Sequence, residues 1–124
     1  MKVKKPLWAP WRSQYFTAKK SKGCVFCEEA KNPDAPDSLV VAHTPLMMAV
    51  LNLYPYTTGH LMIIPKRHIA LPDEMREDEL KEFWALFVRA KNALVELYSP
   101  EGFNTGINLG EAAGAGIAAH LHLH

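Results

Sequence analysis

The last five residues of this 124-residue chain alternate between histidine and leucine, as His120, Leu121, His122, Leu123 and His124. Side chains on a β-strand point to opposite faces with a period of two, so the segment predicts a strand with three imidazoles on one face. The two leucines then lie on the other face, against the core. Imidazole is neutral and nucleophilic near pH 7 and donates hydrogen bonds, so the row favours attack on a phosphorus centre. A purification tag is the alternative, but tags are normally uninterrupted histidine runs.

Length and charge limit the classes of protein that the chain can represent. With 124 residues, 48% of them hydrophobic and 22% charged, we expect one globular domain over residues 23–124. The net charge of +1 gives no support for nucleic-acid binding. Residues 1–22 form a basic, aromatic arm, which either lies near a polyphosphate ligand or is simply solvated. Its cationic residues are Lys2, Lys4, Lys5, Arg12, Lys19, Lys20 and Lys22.

No signal peptide or membrane-spanning stretch is visible, so the sequence predicts a cytoplasmic protein that binds no membrane. In that compartment a close cysteine pair is more often metal-binding or catalytic than a disulfide. Cys24 and Cys27 have the Cys-x2-Cys spacing of zinc sites. We take His68 and His120 as the other two ligands and His43 and His60 as their competitors. Four protein ligands leave no open position, so such a zinc ion is structural.

Hydrophobic periodicity predicts an α+β fold with an antiparallel sheet. A short helix follows the cysteine pair. The predicted strands are 39–42, 47–51, 61–64, 103–109 and 117–124. A long helix is predicted from Pro72 to Tyr98, with an apolar stripe facing the core. The stripe consists of Leu80, Phe83, Trp84, Phe87, Leu94 and Leu97.

Two further segments connect these patterns to a known family. A glycine-rich stretch, residues 106–116, leads directly into the three histidines, and residues 58–68 read Thr-Gly-His-Leu-Met-Ile-Ile-Pro-Lys-Arg-His. With the His-x-His-x-His end, they make the chain resemble the histidine triad (HIT) family. The opening residues 7–12 look like its bacterial branch of diadenosine tetraphosphate hydrolases and phosphorylases. The resemblance implies a HIT-like antiparallel sheet with one long helix, assembled as a homodimer.

The resemblance also implies roles for the triad. His122 is the expected nucleophile, forming a covalent nucleotidyl-histidine intermediate. His124 donates to a non-bridging phosphate oxygen. His120 binds zinc together with Cys24, Cys27 and His68. The carbonyl oxygen of the residue between the histidines orients the nucleophile.

Supporting residues follow from the same resemblance. His60 lies behind the triad and orients it, Asn52 lies near the ribose, and Asn108 lines the phosphate side. Many family hydrolases place a glutamine four residues before the first triad histidine, whereas this chain has Gly116. Backbone amides of residues 114–118 are expected to replace that glutamine. The family pattern continues beyond the third histidine, so we expect the domain to lack its C-terminal part.

These patterns predict cleavage of nucleotide phosphoanhydrides, with a dinucleoside polyphosphate as substrate. The acceptor is water in a hydrolase and inorganic phosphate in a phosphorylase. The alternative is a zinc-stapled module that binds nucleotides or signals without turnover.

Overall fold

The computed structural model describes residues 24–52, 59–113 and 120–124. Within these ranges the regular elements follow one another as helix α1, three strands and a longer helix α2, which confirms the predicted α+β class. Short 3-10 turns precede α2 and follow it. The elements are α1 (Val25–Lys31), β1 (Val40–His43), β2 (Met47–Leu51), β3 (Leu61–Pro65), a 3-10 turn (Pro72–Glu74), α2 (Glu77–Tyr98) and a 3-10 turn (Glu111–Ala113).

The three strands form an antiparallel sheet in the order β1-β2-β3. A tight turn joins β1 to β2, closed by a hydrogen bond from the Thr44 amide to the Met47 carbonyl oxygen at 2.9 Å. The register of β2 with β3 runs without interruption from Met47 opposite Pro65 to Leu51 opposite Leu61. The first three predicted strands are therefore present: β2 has the predicted ends, β1 is shifted by one residue, and β3 ends one residue later than predicted.

Helix α2 begins later than the sequence predicts. Pro72–Glu74 forms a separate 3-10 turn, because Met75 and Arg76 have extended backbone angles. At the other end Ser99 adopts a left-handed conformation with φ 47°, and Pro100 follows, so the helix ends at Tyr98. In the described part of the chain, no helix combines the length and apolar character needed to cross a membrane.

The sheet has an apolar cluster on each face. Helix α2 covers one cluster through Phe83 and Leu86, and Leu121 is buried in the same cluster. Phe26 of α1 lies in the other cluster, beside Met48, Val50, Met62 and Ile64. The short α1 therefore packs on the face opposite α2.

The predicted apolar stripe of α2 is only partly buried, which corrects the sequence analysis. Phe83 and Phe87 pack in the core, whereas Leu80, Trp84 and Leu97 are 47%, 63% and 73% exposed. Leu80 and Trp84 lie beside the buried face of α2, and Leu97 lies in its last turn. Hydrophobicity alone therefore predicts a wider buried face for α2 than the face that contacts the sheet.

The two predicted C-terminal strands are reduced to single bridges. Leu123 pairs with Ile63 of β3 on one side and with Ile107 on the other. Gly106 also exchanges two backbone hydrogen bonds with His124. No other residue of the predicted strand over 103–109 has strand structure, so that strand is shortened to residues 106 and 107. Of the predicted strand over 117–124, residues 117–119 lie outside the described residues.

Candidate functional site

The cysteine pair begins α1 and forms a tight knuckle. Cys24 is the N-cap residue, and its Sγ accepts a hydrogen bond from the Cys27 amide at 3.4 Å. An N-cap normally uses a side-chain oxygen to satisfy one of the first helical amides, and here sulfur takes that role. The first turn of the helix therefore holds both sulfur atoms on the same side, toward His120.

Four side chains meet beside this knuckle. The ligand atoms of Cys24, Cys27, His68 and His120 all lie within 4.8 Å of one another. His120 Nδ1 is 3.2 Å from Cys24 Sγ and 3.2 Å from His68 Nδ1, and Cys27 Sγ is 3.2 Å from His68 Nδ1. A tetrahedral metal with bonds of about 2.0–2.3 Å separates its ligand atoms by roughly 3.3–3.8 Å. The group is therefore able to hold a metal ion in a closed, four-ligand site.

His120 has the protonation state that a metal ligand needs. It is 2% exposed, and its Nε2–H donates to the Pro65 carbonyl oxygen at 2.7 Å, which leaves the lone pair on Nδ1 facing the two sulfur atoms. Burial lowers the pKa of His120 from 6.5 to about 4, so the ring is neutral at pH 7.

Cys27 is a protonated thiol at pH 7 when no metal ion is bound. Burial, together with the hydrogen bond and charge of Cys24, raises the pKa of the Cys27 thiol to about 11. A positive ion between the sulfur atoms would stabilise the thiolate form of both cysteines.

The two competing histidines lie elsewhere. His43 Nε2 is 3.0 Å from Asp34 Oδ1, and its Nδ1 is 3.2 Å from Lys66 Nζ. His60 contacts His124 and Asn52 instead of the cysteines. The structure thus brings together the two histidines that the sequence analysis took as ligands, because the C-terminal segment returns to the end of β3 and carries His120 to the knuckle.

His122 is oriented by its own strand. It is 6% exposed, and its Nδ1–H donates to the His120 carbonyl oxygen at 2.9 Å, which leaves the lone pair on Nε2. Sequence analysis expected this carbonyl to come from the residue between the histidines, but it belongs to His120 itself. Phe26 packs edge-on against both rings, with centroid distances of 5.5 Å to His120 and 5.2 Å to His122.

His124 ends a chain of hydrogen bonds. Asn52 Nδ2 donates to His60 Nδ1 at 3.1 Å, so His60 carries its proton on Nε2. That Nε2–H donates to His124 Nδ1 at 3.0 Å, which in turn leaves the proton of His124 on Nε2. The protons of the three triad rings are thus placed differently. His120 presents a lone pair on Nδ1 to the cysteines, His122 has a lone pair on Nε2, and His124 carries a proton on Nε2.

The remaining predicted residues are less closely held. Asn108 is exposed, and the pairing of Ile107 with Leu123 places it opposite His122 in the antiparallel register. Gly116, like the rest of residues 114–119, lies outside the described residues. His60 and His124 also border a cavity of about 530 Å³ whose apolar wall includes Phe87 and Leu94 of α2.

Three groups at this site were not among the residues predicted from the sequence. Phe26, between the two cysteines, is the packing partner of the triad rings. The Pro65 carbonyl sets the tautomer of His120, and a buried Glu79 binds Arg67, the neighbour of His68. The only signal for Phe26 was its position inside the Cys-x2-Cys motif, while a backbone carbonyl leaves no signal in a sequence.

Known proteins are similar to this chain in both sequence and fold. The HIT domain model matches residues 34–124. The "AP-4-A phosphorylase" of Mycobacterium tuberculosis is 37% identical over 127 residues, which cover 95% of this chain and 65% of that protein. The chain therefore spans less than two thirds of that relative's length.

Solved structures agree with this match. A HIT family member from Bacillus subtilis superposes with a TM-score of 0.72 and 32% identity, covering 82% of this chain and 70% of that one. A zinc-bound histidine triad family protein from Mycobacterium smegmatis gives 0.69 and 30%, covering 84% and 73%. Since the family model spans most of the chain and the fold agrees, this protein belongs to the HIT domain family.

Proposed function

We propose that this protein cleaves a phosphoanhydride bond of a dinucleoside polyphosphate, with His122 as nucleophile. The observation that carries the proposal is the opposite proton placement on His122 and His124. A nucleophile needs a lone pair on its reactive nitrogen, and a neighbouring donor needs a proton on its own. The hydrogen bonds of the two rings supply both at once. The similarity to a mycobacterial "AP-4-A phosphorylase" supports the substrate class.

The first step transfers a nucleotidyl group to the enzyme. Nε2 of His122 attacks the α-phosphorus, the bond to the bridging oxygen breaks, and the remaining polyphosphate leaves with that oxygen. The imidazole is then bonded to phosphorus at Nε2 and keeps its proton on Nδ1, where the His120 carbonyl stabilises the positive charge. His124 donates its Nε2 proton in a hydrogen bond to a non-bridging oxygen, and Asn108 lines the phosphate side.

The second step releases the nucleotide. Water attacking the same phosphorus gives a nucleoside monophosphate, and inorganic phosphate gives a nucleoside diphosphate; either restores His122. The curated relative's name favours phosphate as the acceptor. Asn52 has two roles in this proposal, because it lies beside the ribose and also donates to His60. His60 passes that orientation on to His124. Backbone amides around Gly116 complete the phosphate contacts.

Zinc is the metal that we propose for Cys24, Cys27, His68 and His120. Two thiolates and two imidazoles are a ligand set that zinc prefers, and a solved neighbour is zinc-bound. With four protein ligands the ion has a structural role: it pins the knuckle of α1 to the strand that carries His122. The catalytic chemistry is left to the imidazoles.

We also propose that the protein is a homodimer and works in the cytoplasm. Leu80, Trp84, Val95 and Tyr98 are all more than 40% exposed, and their spacing of four, eleven and three residues puts them on one side of α2. An exposed apolar stripe of this kind suits a second copy of the chain. Trp84→Glu is expected to shift the sedimentation coefficient from dimer to monomer.

Product analysis with diadenosine tetraphosphate tests the function. ATP with ADP, formed only when phosphate is present, indicates phosphorolysis; ATP with AMP, formed regardless of phosphate, indicates hydrolysis. Rapidly quenched protein should carry a mass increase of one nucleotidyl group, absent in His122→Ala and present in the matched variant His43→Ala. Nucleotide binding without product or adduct would contradict the proposal and favour the zinc-stapled binding module.

A further inference from the structure

The end of β3 and the residues directly after it supply one ligand of the metal cluster and the group that orients another. The Pro65 carbonyl oxygen accepts from His120 Nε2, and His68 contributes its Nδ1. Of the four ligand residues, His68 is the exposed one. An exposed imidazole has little surrounding packing to hold its ring, so its position depends on the backbone that carries it. What fixes residues 65–68 therefore matters to the cluster.

Arg67, between these two groups in the sequence, binds a buried carboxylate. Its Nη2 donates to Glu79 Oε1 at 2.7 Å and its Nε donates to Oε2 at 3.1 Å, which is a bidentate pair. The same Nη2 also donates to the Glu74 carbonyl oxygen at 2.7 Å. Arg67 is thus anchored both to a side chain and to the turn before α2.

Glu79 is itself fixed in the first turn of α2. It is 1% exposed, and Oε1 also accepts from the Arg76 amide at 2.8 Å. The hydrogen bonds of Arg67 hold the pKa of Glu79 below its ordinary value, so the carboxylate stays ionised. Ion pairs of this kind stabilise a fold little, and an apolar residue often serves equally well at a buried helix position. A role in geometry explains its presence better than a role in stability.

We propose that the Arg67–Glu79 pair is a positioning device for the metal cluster. It fixes the backbone of residues 65–68 against the start of α2, so that His68 Nδ1 and the Pro65 carbonyl oxygen meet His120 at the observed distances. Neither residue binds the metal. The inference rests on the proposed metal site and adds to it two residues that lie outside the ligand set.

Helix α2 offers a matched control in Glu82. Its Oε1 accepts from the Leu46 amide at 2.9 Å and from Thr44 Oγ1 at 2.5 Å, so it ties the helix to the β1–β2 turn. Glu79 and Glu82 therefore both bind a backbone amide and a side chain, one turn apart on the same helix. Of the two, Glu79 alone bonds directly to a side chain of residues 65–68; Glu82 reaches that segment only through Leu46, whose carbonyl oxygen accepts from the Lys66 amide at 2.9 Å.

The experiment compares metal retention in four proteins: wild type, Glu79→Gln, Glu82→Gln and Arg67→Lys. Each is loaded with zinc, and the rate of zinc transfer to a chromophoric chelator is measured at pH 7.5. The visible absorption of the Co²⁺-loaded proteins reports the ligand geometry independently of activity. Changes to residues that orient metal ligands typically cost about 10–100-fold in affinity.

We expect zinc release from Glu79→Gln to be roughly 10-fold faster or more, with an altered Co²⁺ spectrum, while Glu82→Gln stays within about twofold of wild type. Arg67→Lys keeps the charge but loses the fork geometry, so it should also release zinc faster. It provides the test if Glu79→Gln fails to fold. Equal release rates for the Glu79 and Glu82 variants would overturn the inference. A wild-type protein that gives no tetrahedral Co²⁺ spectrum would overturn the metal site itself.

Discussion

The first and last histidines of the triad are four residues apart on one segment, yet their surroundings differ. His120 is buried between the cysteine knuckle and the Pro65 carbonyl oxygen, which places its proton on Nε2 and its lone pair on Nδ1. His124 is half-buried and accepts from His60 at Nδ1, which places its proton on Nε2 for a different partner. In each ring, the group bound to one nitrogen determines what the other nitrogen can do. The Pro65 carbonyl at Nε2 of His120 leaves Nδ1 able to bind a metal, and His60 at Nδ1 of His124 leaves Nε2 able to donate a proton.

The largest expected effect is at the middle histidine. His122→Ala removes the proposed nucleophile, so we expect turnover of diadenosine tetraphosphate to fall by about 10⁴-fold or more. Zinc content should remain at about one ion per chain, because His122 lies outside the cluster. Steady-state rates and metal analysis on the same sample measure both. A variant that keeps most of its activity would show that the nucleophile lies elsewhere.

Removing the two cysteines that share the proposed metal site with His120 should mainly reduce the stability of the fold. We expect Cys24→Ser with Cys27→Ser to reduce zinc from about one ion per chain to near zero and to lower the free energy of unfolding by several kcal/mol. Denaturant titration with metal analysis measures this. His43→Ala, made at the exposed end of β1, is the control. Undiminished zinc in the double variant would contradict the ligand assignment.

Removing the proton donor at His124 should lower the reaction rate without lowering stability. His124→Phe keeps an aromatic ring but removes the proton donor, so we expect kcat to fall by about 10²–10³-fold. Zinc content and the midpoint of thermal unfolding should change little. If zinc were lost as well, the two ends of the triad would be one coupled unit and the distinction drawn here would fail.

Lowering the pH should destabilise the folded protein, because it favours the protonated form of His120 that only the unfolded chain accommodates readily. Its pKa is about 4 in the folded chain and about 6.5 when unfolded, so the unfolded chain binds more protons between these values. The stability of chelator-treated protein should therefore fall as the pH falls from about 6.5 to about 4, by up to roughly 3 kcal/mol. Urea titrations across this range measure the loss, which His120→Asn should reduce. Stability independent of pH over that window would contradict a buried neutral His120.

The smallest effect is expected at His43. It contacts Asp34 and Lys66 at the surface, away from both ends of the triad. His43→Ala should leave turnover within about twofold and change the free energy of unfolding by no more than about 0.5 kcal/mol. A marked loss of zinc in this variant would return His43 to the set of ligands.

Much of the fold was readable from local patterns. The runs from Met47 to Leu51 and from Leu61 to Pro65 carry continuous apolar residues bounded by turn residues, and both became strands of one sheet. The end of α2 was equally local, because Ser99 and Pro100 stop the helix. Its start was not, since the extended backbone at Met75 and Arg76 separates the first turn from the helix.

The sequence by itself determined which residue types were available and how they alternate. The period of two in His120–His124 places histidines on one face and leucines on the other, and the Cys-x2-Cys spacing brings two sulfur atoms together; both depend only on backbone geometry within a few residues. Only the tertiary structure decided which histidine serves which task. For His68, His120 and His124 the deciding partners are 41 to 96 residues away along the chain, and one of them is a backbone carbonyl. His122 differs, because the His120 carbonyl two residues before it sets its orientation. Contacts at such separations depend on how the elements pack together, which no local pattern encodes.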